Sequence, residues 1–181
     1  MVPAKGDRGM IIGYLGKIPR LESGVFVAEG ATLIGDIVVG KDSSIWFNAV
    51  VRADVNSVRI GDRTNVQDNA VIHVTRNKWS TFVASNVTIG HGAIVHGCVI
   101  EDACLIGMGS ILLDGSRIGE NSIVAAGSVV REGMIVPSRS LVAGVPGRIV
   151  RNLSDVEVEK IRESAQHYVD YISAYRRNLP V

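Results

Sequence analysis

A six-residue period runs through most of this chain and restricts what it can fold into. Aliphatic residues recur at Ile100, Ile106, Leu112, Ile118, Val124 and Val130, an unbroken spacing of six. Four positions after each stands a small residue, Cys104, Ser110, Ser116, Ser122 and Ser128, with Met134 ending the run. The pattern appears earlier at Val27, Leu33, Val39, Ile45 and Val51, and returns after a slip of three residues at Ile60, Val66 and Ile72. A helix needs a period near 3.6 and a hairpin sheet a period of two, and six serves neither. It suits short strands broken by turns, each sending one aliphatic side chain into a narrow core. Strands then pair coil on coil, about 4.8 Å apart. Self-similarity at a fixed period marks a solenoid and outranks local propensity. The chain therefore reads as an all-β solenoid.

The rest of the chain fits around that solenoid. Residues 1–9 are polar and read as a flexible tail, so one domain is expected over residues 10–181. Within it the coils should occupy about 20–136 and an irregular connector 137–153, marked by Pro137, Gly144, Pro146 and Gly147. A helix over about 155–177 should follow, because Ser154 and Glu157 form a capping box. Ile161, Ala165, Tyr168, Ile172 and Tyr175 give it one apolar stripe, and Arg176 and Arg177 complement its dipole. It should lie along the outside of the solenoid. Hydrophobic residues make up 46% of the chain and aromatics 5%, with 20 glycines, which suits a slender prism with tight corners. Nineteen Lys+Arg against eighteen Asp+Glu leave a net charge of +1, so no nucleic-acid partner is expected. No apolar run is long enough to span a membrane and no secretory h-region opens the chain, which leads us to expect a cytoplasmic protein. Cys98 and Cys104 fall inside the repeat and read as reduced, buried thiols.

Three stretches carry a resemblance to a known family: SIWFNAVVRADV (Ser44 to Val55), IGDRTNVQDNAVIHV (Ile60 to Val74) and IGHGAIVHGCVIEDACLIGMGSILLDG (Ile89 to Gly115). The chain resembles the hexapeptide-repeat proteins, and among them the gamma-class carbonic anhydrases and their carbonic-anhydrase-like relatives. Hexads alone would be shared with many acyltransferases; hexads together with His73, His91, His96, Arg52, Asp54, Gln67 and Asp68 are not. The resemblance implies a left-handed parallel β-helix with three strands per coil and a C-terminal α-helix packed alongside. The usual crossover rule would have given the other hand.

The period also locates the histidines. His73 follows Ile72 and His96 follows Val95, so both hold the position after an inward aliphatic residue. Their separation of 23 is one coil plus a surplus that the polar stretch Thr75 to Ser80 can supply as a loop. They should stack one coil apart, close enough to converge on one ion. His91 holds a different position and faces another side of the prism. A closed threefold ring would bring a neighbour's His91 to the pair. The resemblance implies this arrangement, a homotrimer with His73 and His96 from one subunit and His91 from the next. The alternative is three unrelated surface histidines. Three imidazoles with an open fourth position describe a catalytic zinc site, although ferrous iron or cobalt could use the same ligands.

The resemblance implies further roles. Metal-activated hydroxide would attack carbon dioxide to give bicarbonate. Gln67 would orient that hydroxide, and Asn65 would place Gln67 or the substrate. Arg52, Asp54 and Asp68 would form charge-assisted pairs across the trimer interface, with Asp68 also able to support an imidazole. Arg52 shares the histidine column if the slip between Val51 and Ile60 is a corner insertion. Tyr168 matches a tyrosine that approaches the metal in relatives, though its place on the apolar stripe suits packing equally well; His167 reads as solvated. The chain also departs from the family. Val55 stands where active members carry a glutamate, and the basic Thr75-Arg76-Asn77-Lys78-Trp79 replaces an acidic, proton-shuttling loop. Two other readings stay open: an acyl-CoA thioesterase or acyltransferase, and a catalytically silent trimeric metal-binding scaffold.

Overall fold

A computed structural model describes residues 9–178; apart from Gly9, the expected tail lies outside the described residues, as do 179–181. The strands wind into a parallel, left-handed β-helix with three faces. One face stacks Val50–Arg52, Val71–His73, Ile94–His96, Ile111–Leu112 and Val129–Val130 in parallel register. A second stacks Val58–Ile60, Thr81–Val83, Val99–Ile100, Arg117–Ile118 and Ile135–Val136. A third runs from Phe26–Val27 through Asn65–Val66, Thr88–Ile89 and Leu105–Ile106 to Ser140–Ala143. The first two faces form one twelve-stranded sheet, because the long strands Thr32–Val39 and Val50–Ile60 turn the corner without a break.

The period works as the sequence suggests. Every inward aliphatic residue of the repeat from Ile60 to Val130 is at most 3% exposed, in one continuous core. The small residues between them occupy the corners, where buried hydroxyls satisfy turn carbonyls: Ser110 donates to Gly107 O at 2.8 Å and Ser116 to Leu113 O at 2.7 Å. The slip after Val51 is a corner insertion. Gly35 pairs with Ala53 but Ile37 pairs with Val58, so Asp36 alone faces Asp54 to Ser57. Gly35 has a φ of +86°, and a Cβ there would lie 2.3 Å from Ala53 O; only glycine lets the strands close at this bend.

The C-terminal part differs from the reading of 137–153 as irregular. Val142 is a further inward residue, fully buried and in register with Val124, so the repeat continues past Pro137. Pro137 sits at a corner, where its free carbonyl accepts from Ser122 Oγ at 3.1 Å. The chain then reverses, and Arg148–Asn152 pairs antiparallel with Ser140–Ala143. The helix follows over Asp155–Asn178. Its capping box is formed: Glu157 N–H donates to Ser154 Oγ at 3.3 Å and Ser154 N–H to Glu157 Oε2 at 2.9 Å. Arg151 clamps the same carboxylate, and together these bonds hold Glu157 down at about 2. The helix buries Val158, Ile161, Ala165 and Ile172 against the third face. Its last turns meet Phe26, Trp46 and Phe47, with the Tyr175 ring 5.0 Å from Trp46.

Candidate metal centre

His73 and His96 are the last residues of two neighbouring three-residue strands, paired directly across the ladder. Strand alternation sends Ile72 and Val95 into the core and turns both imidazoles outward. The rings lie 5.0 Å apart, with His73 Nδ1 3.0 Å from His96 Nε2. Each ring has a carboxylate on its other nitrogen. His73 Nε2 faces Asp54 Oδ1 at 3.3 Å, and His96 Nδ1 faces Asp114 Oδ1 at 2.6 Å. Burial would raise Asp54, but hydrogen bonds from Arg52 and His73 and the guanidinium charge outweigh it. Burial would likewise raise Asp114, and bonds from Thr75 and His96 outweigh that. Both carboxyls thus lie below their usual range and are ionised at neutral pH.

That ionisation decides the tautomers. A carboxylate only accepts, so the nitrogen facing it must carry the hydrogen. His73 is then an Nε2–H imidazole and His96 an Nδ1–H imidazole. The two nitrogens left, 3.0 Å apart, both present lone pairs. Two facing lone pairs repel unless a proton or a cation stands between them. Two nitrogen ligands of one tetrahedral zinc lie about 3.3 Å apart, a few tenths of an ångström more than the 3.0 Å separation here. The donor set fits a metal. Burial, followed by the Arg52 and His96 charges, holds His73 below the usual histidine range despite Asp54, keeping it neutral and able to ligate.

His91 is elsewhere. It occupies the corner after Thr88–Ile89, 47% exposed, with Nδ1 2.7 Å from Asp68 Oδ2. Among the described residues no three His, Cys, Asp or Glu groups gather as one metal site. One subunit brings together two of the three candidate ligands. All three imidazoles nevertheless rest on a carboxylate, Asp54, Asp68 or Asp114, the usual partner of a metal-bound histidine.

The remaining candidates fall around these two places. Arg52 does share the histidine column, since Val51 pairs with Ile72, and it donates to Asp54 Oδ2 at 2.6 Å within its own subunit. Asn65 and Gln67 lie buried on the third face, with Gln67 Nε2 donating to Asn65 Oδ1 at 3.1 Å. Gln67 Oε1 accepts the His91 backbone N–H at 3.2 Å, which ties the pair to the His91 corner. Tyr168 packs on Trp46, ring centroids 5.4 Å apart, and burial followed by the nearby Asp68 charge raises its phenol. It shares with Asp68, His91, Trp46, Tyr171 and Tyr175 the wall of a cavity of about 350 Å³. His167 is exposed.

Sequence reasoning missed Asp114 and Thr75. Asp114 comes from the Leu113-Asp114-Gly115 corner one coil beyond His96, and its Oδ2 accepts from Thr75 Oγ1 at 2.5 Å. The signal available was an aspartate about one coil after a candidate ligand. Trp79 closes the basic loop, bridged to Thr75, by lying across the backbone of Gly97 and Gly115. A Cβ on Gly97 would come within 2.2 Å of Asp114 Oδ1 and 2.8 Å of Trp79 Cβ.

Comparison with known proteins places this geometry. A family model described as bacterial transferase hexapeptide (six repeats) matches residues 97–132. The chain is 52% identical over 149 residues to a "Probable carbonic anhydrase" of Methanocaldococcus jannaschii, covering 82% of this chain and 93% of that protein. It is 41% identical over 165 residues to "Gamma carbonic anhydrase 2, mitochondrial" of Arabidopsis thaliana, covering 88% of this chain and 59% of the length of that relative. Among solved structures, a hexapeptide transferase family protein from Anaplasma phagocytophilum matches with a TM-score of 0.88 at 37% identity, over 92% of this chain and 98% of that one. The coils and these matches define a hexapeptide-repeat β-helix protein. Within that class, the chain belongs to the gamma-class carbonic anhydrase family.

Proposed function

We propose that the protein catalyses the reversible hydration of carbon dioxide to bicarbonate at a metal shared between subunits of a homotrimer. His73 and His96 of one subunit and His91 of the next would hold the ion. The observation that carries this reading is the pair of opposed lone pairs, each fixed by an ionised carboxylate, in a site one ligand short. Apolar surface beside them supports a neighbouring subunit: Val71 and Ile94, each two residues before a histidine, are 36% and 38% exposed. Bound there, zinc would lower the pKa of a water to about 7 and so supply hydroxide at neutral pH. Ferrous iron and cobalt suit the same ligands.

The chain's own residues would do the rest. Asp54, Asp68 and Asp114 hold the imidazoles in their ligating tautomers. Gln67, backed by Asn65, offers one amide to the reacting oxygen, and Tyr168 lines the approach beside His91. Proton export differs from that expected of an acidic shuttle, because neither Val55 nor the Thr75–Trp79 loop carries a carboxylate. Buffer would carry that proton, so turnover should rise with buffer concentration. Metal analysis after anaerobic purification, with a hydration assay on the zinc, iron and cobalt forms, tests the proposal. Metal retention with hydration in at least one form supports it; hydrolysis of an acyl-CoA with no hydration in any form sinks it.

The likeness to a hexapeptide transferase family protein keeps an acyl-transfer reading in view. Coenzyme A binding without metal retention would favour it. A trimer that holds metal but hydrates nothing would instead be a scaffold.

A further inference from the structure

The amides of Gln67 and Asn65 belong to a longer chain of hydrogen bonds with a definite direction. At one end the His91 backbone N–H, which can only donate, meets Gln67 Oε1 at 3.2 Å. Gln67 Nε2 then donates to Asn65 Oδ1 at 3.1 Å. Asn65 Nδ2 donates onward to Thr88 Oγ1 at 3.0 Å and to Val87 O at 3.4 Å. A carbonyl can only accept, so both ends of the chain enforce the same order of oxygens and nitrogens. Thr88 is 2% exposed, and its Oγ1 lies 3.4 Å from Ser164 Oγ on the C-terminal helix. The Thr88 hydroxyl accepts from Asn65, and its bond with the Ser164 hydroxyl can run in either direction. Among the described residues, Gln67 is left with one Nε2 hydrogen and one Oε1 lone pair uncommitted, in places set by this order.

We infer that Thr88 is a positioning residue for Gln67: its hydroxyl takes the shorter of the two Asn65 amide bonds and so holds in place the Asn65 oxygen on which the Gln67 amide rests, with Ser164 beside it on the helix. The inference rests on the carbon dioxide reading for its catalytic consequence, but not for its structural one. Without the hydroxyl, Asn65 keeps only the longer bond to Val87 O, and the Gln67 amide gains freedom to turn. Donors aimed at developing charge are worth about 10²–10³-fold in rate. Loosening one rather than deleting it should cost about tenfold in kcat.

Thr88→Val is nearly isosteric and removes only the hydroxyl, whereas Thr88→Ser keeps it. The Gln67 side-chain amide signals, assigned in 15N-labelled protein with Gln67→Glu, report its orientation with or without metal. Expected are shifted or doubled Gln67 signals in Thr88→Val, with about tenfold lower kcat in the zinc form, and recovery of both in Thr88→Ser. Unchanged Gln67 signals in Thr88→Val would overturn the inference, as would equal losses in the Val and Ser variants. Should Thr88→Val fail to fold, Ser164→Ala decides on the same signals: a shift supports the inference and none overturns it. If the wild-type protein hydrates no carbon dioxide, the functional reading falls alone. Signals that move in Val and return in Ser would then still establish the positioning role.

Discussion

Replacing Asp114 with alanine removes the acceptor of two short hydrogen bonds at once, from His96 Nδ1 at 2.6 Å and Thr75 Oγ1 at 2.5 Å. The His96 imidazole is then free to carry its hydrogen on Nε2, the nitrogen that faces His73 and would bind metal. An equal mixture of tautomers costs only about twofold. The larger loss is the negative charge that strengthens the ligand and the bond that holds the ring plane. Changes of this kind cost about 10–100-fold in metal affinity, or about 1.4–2.7 kcal/mol. Asparagine keeps one acceptor but not the charge, so Asp114→Asn should fall near the lower end and Asp114→Ala near the upper. Competition between the protein and a chromophoric chelator for zinc measures this directly. An alanine variant that binds zinc within about twofold of wild type would refute the tautomer reasoning.

Two further outcomes follow from the fold and the charges. Leu112 is fully buried between Val95 and Val130, so Leu112→Ala should lower unfolding free energy by about 2–5 kcal/mol in urea, and a loss below 1 kcal/mol would contradict a close-packed prism. Burial and the Arg52 charge lower His73 in the folded chain from 6.5, so below that pH the unfolded chain takes up a proton that the fold refuses. The metal-free protein should therefore be stable above pH 6.5 and weaken as pH falls through the lower folded value, by a slope that His73→Gln flattens; an unchanged slope would count against it.

The legible parts of this chain are those where the backbone repeats. Once the period fixes Ile72 and Val95 as inward, strand alternation leaves His73 and His96 no choice of face, and the ladder pairs them as expected. Corners are harder to read. Asp114 and Thr75 lie in turns, where no period sets side-chain direction, and the bond between them spans 39 residues of sequence. Pro137 suggested an end to the coils, yet a proline at a corner loses no ladder hydrogen bond, and Val142 adds one more inward residue. The return strand Arg148–Asn152 is exposed at every residue and has no buried face to give it a period. His91 shows a different limit, because its place in a site depends on a second copy of the chain.

The central claim is that two subunits complete each metal site, and subunit mixing tests it most directly. His91→Ala and the double variant His73→Ala/His96→Ala should each bind almost no zinc. Dissociated, combined in equal amounts and reassembled, they should recover about one quarter of wild-type zinc, because every mixed ring of three regains one intact interface. Recovery of no zinc, or full binding by either variant alone, would contradict a shared site.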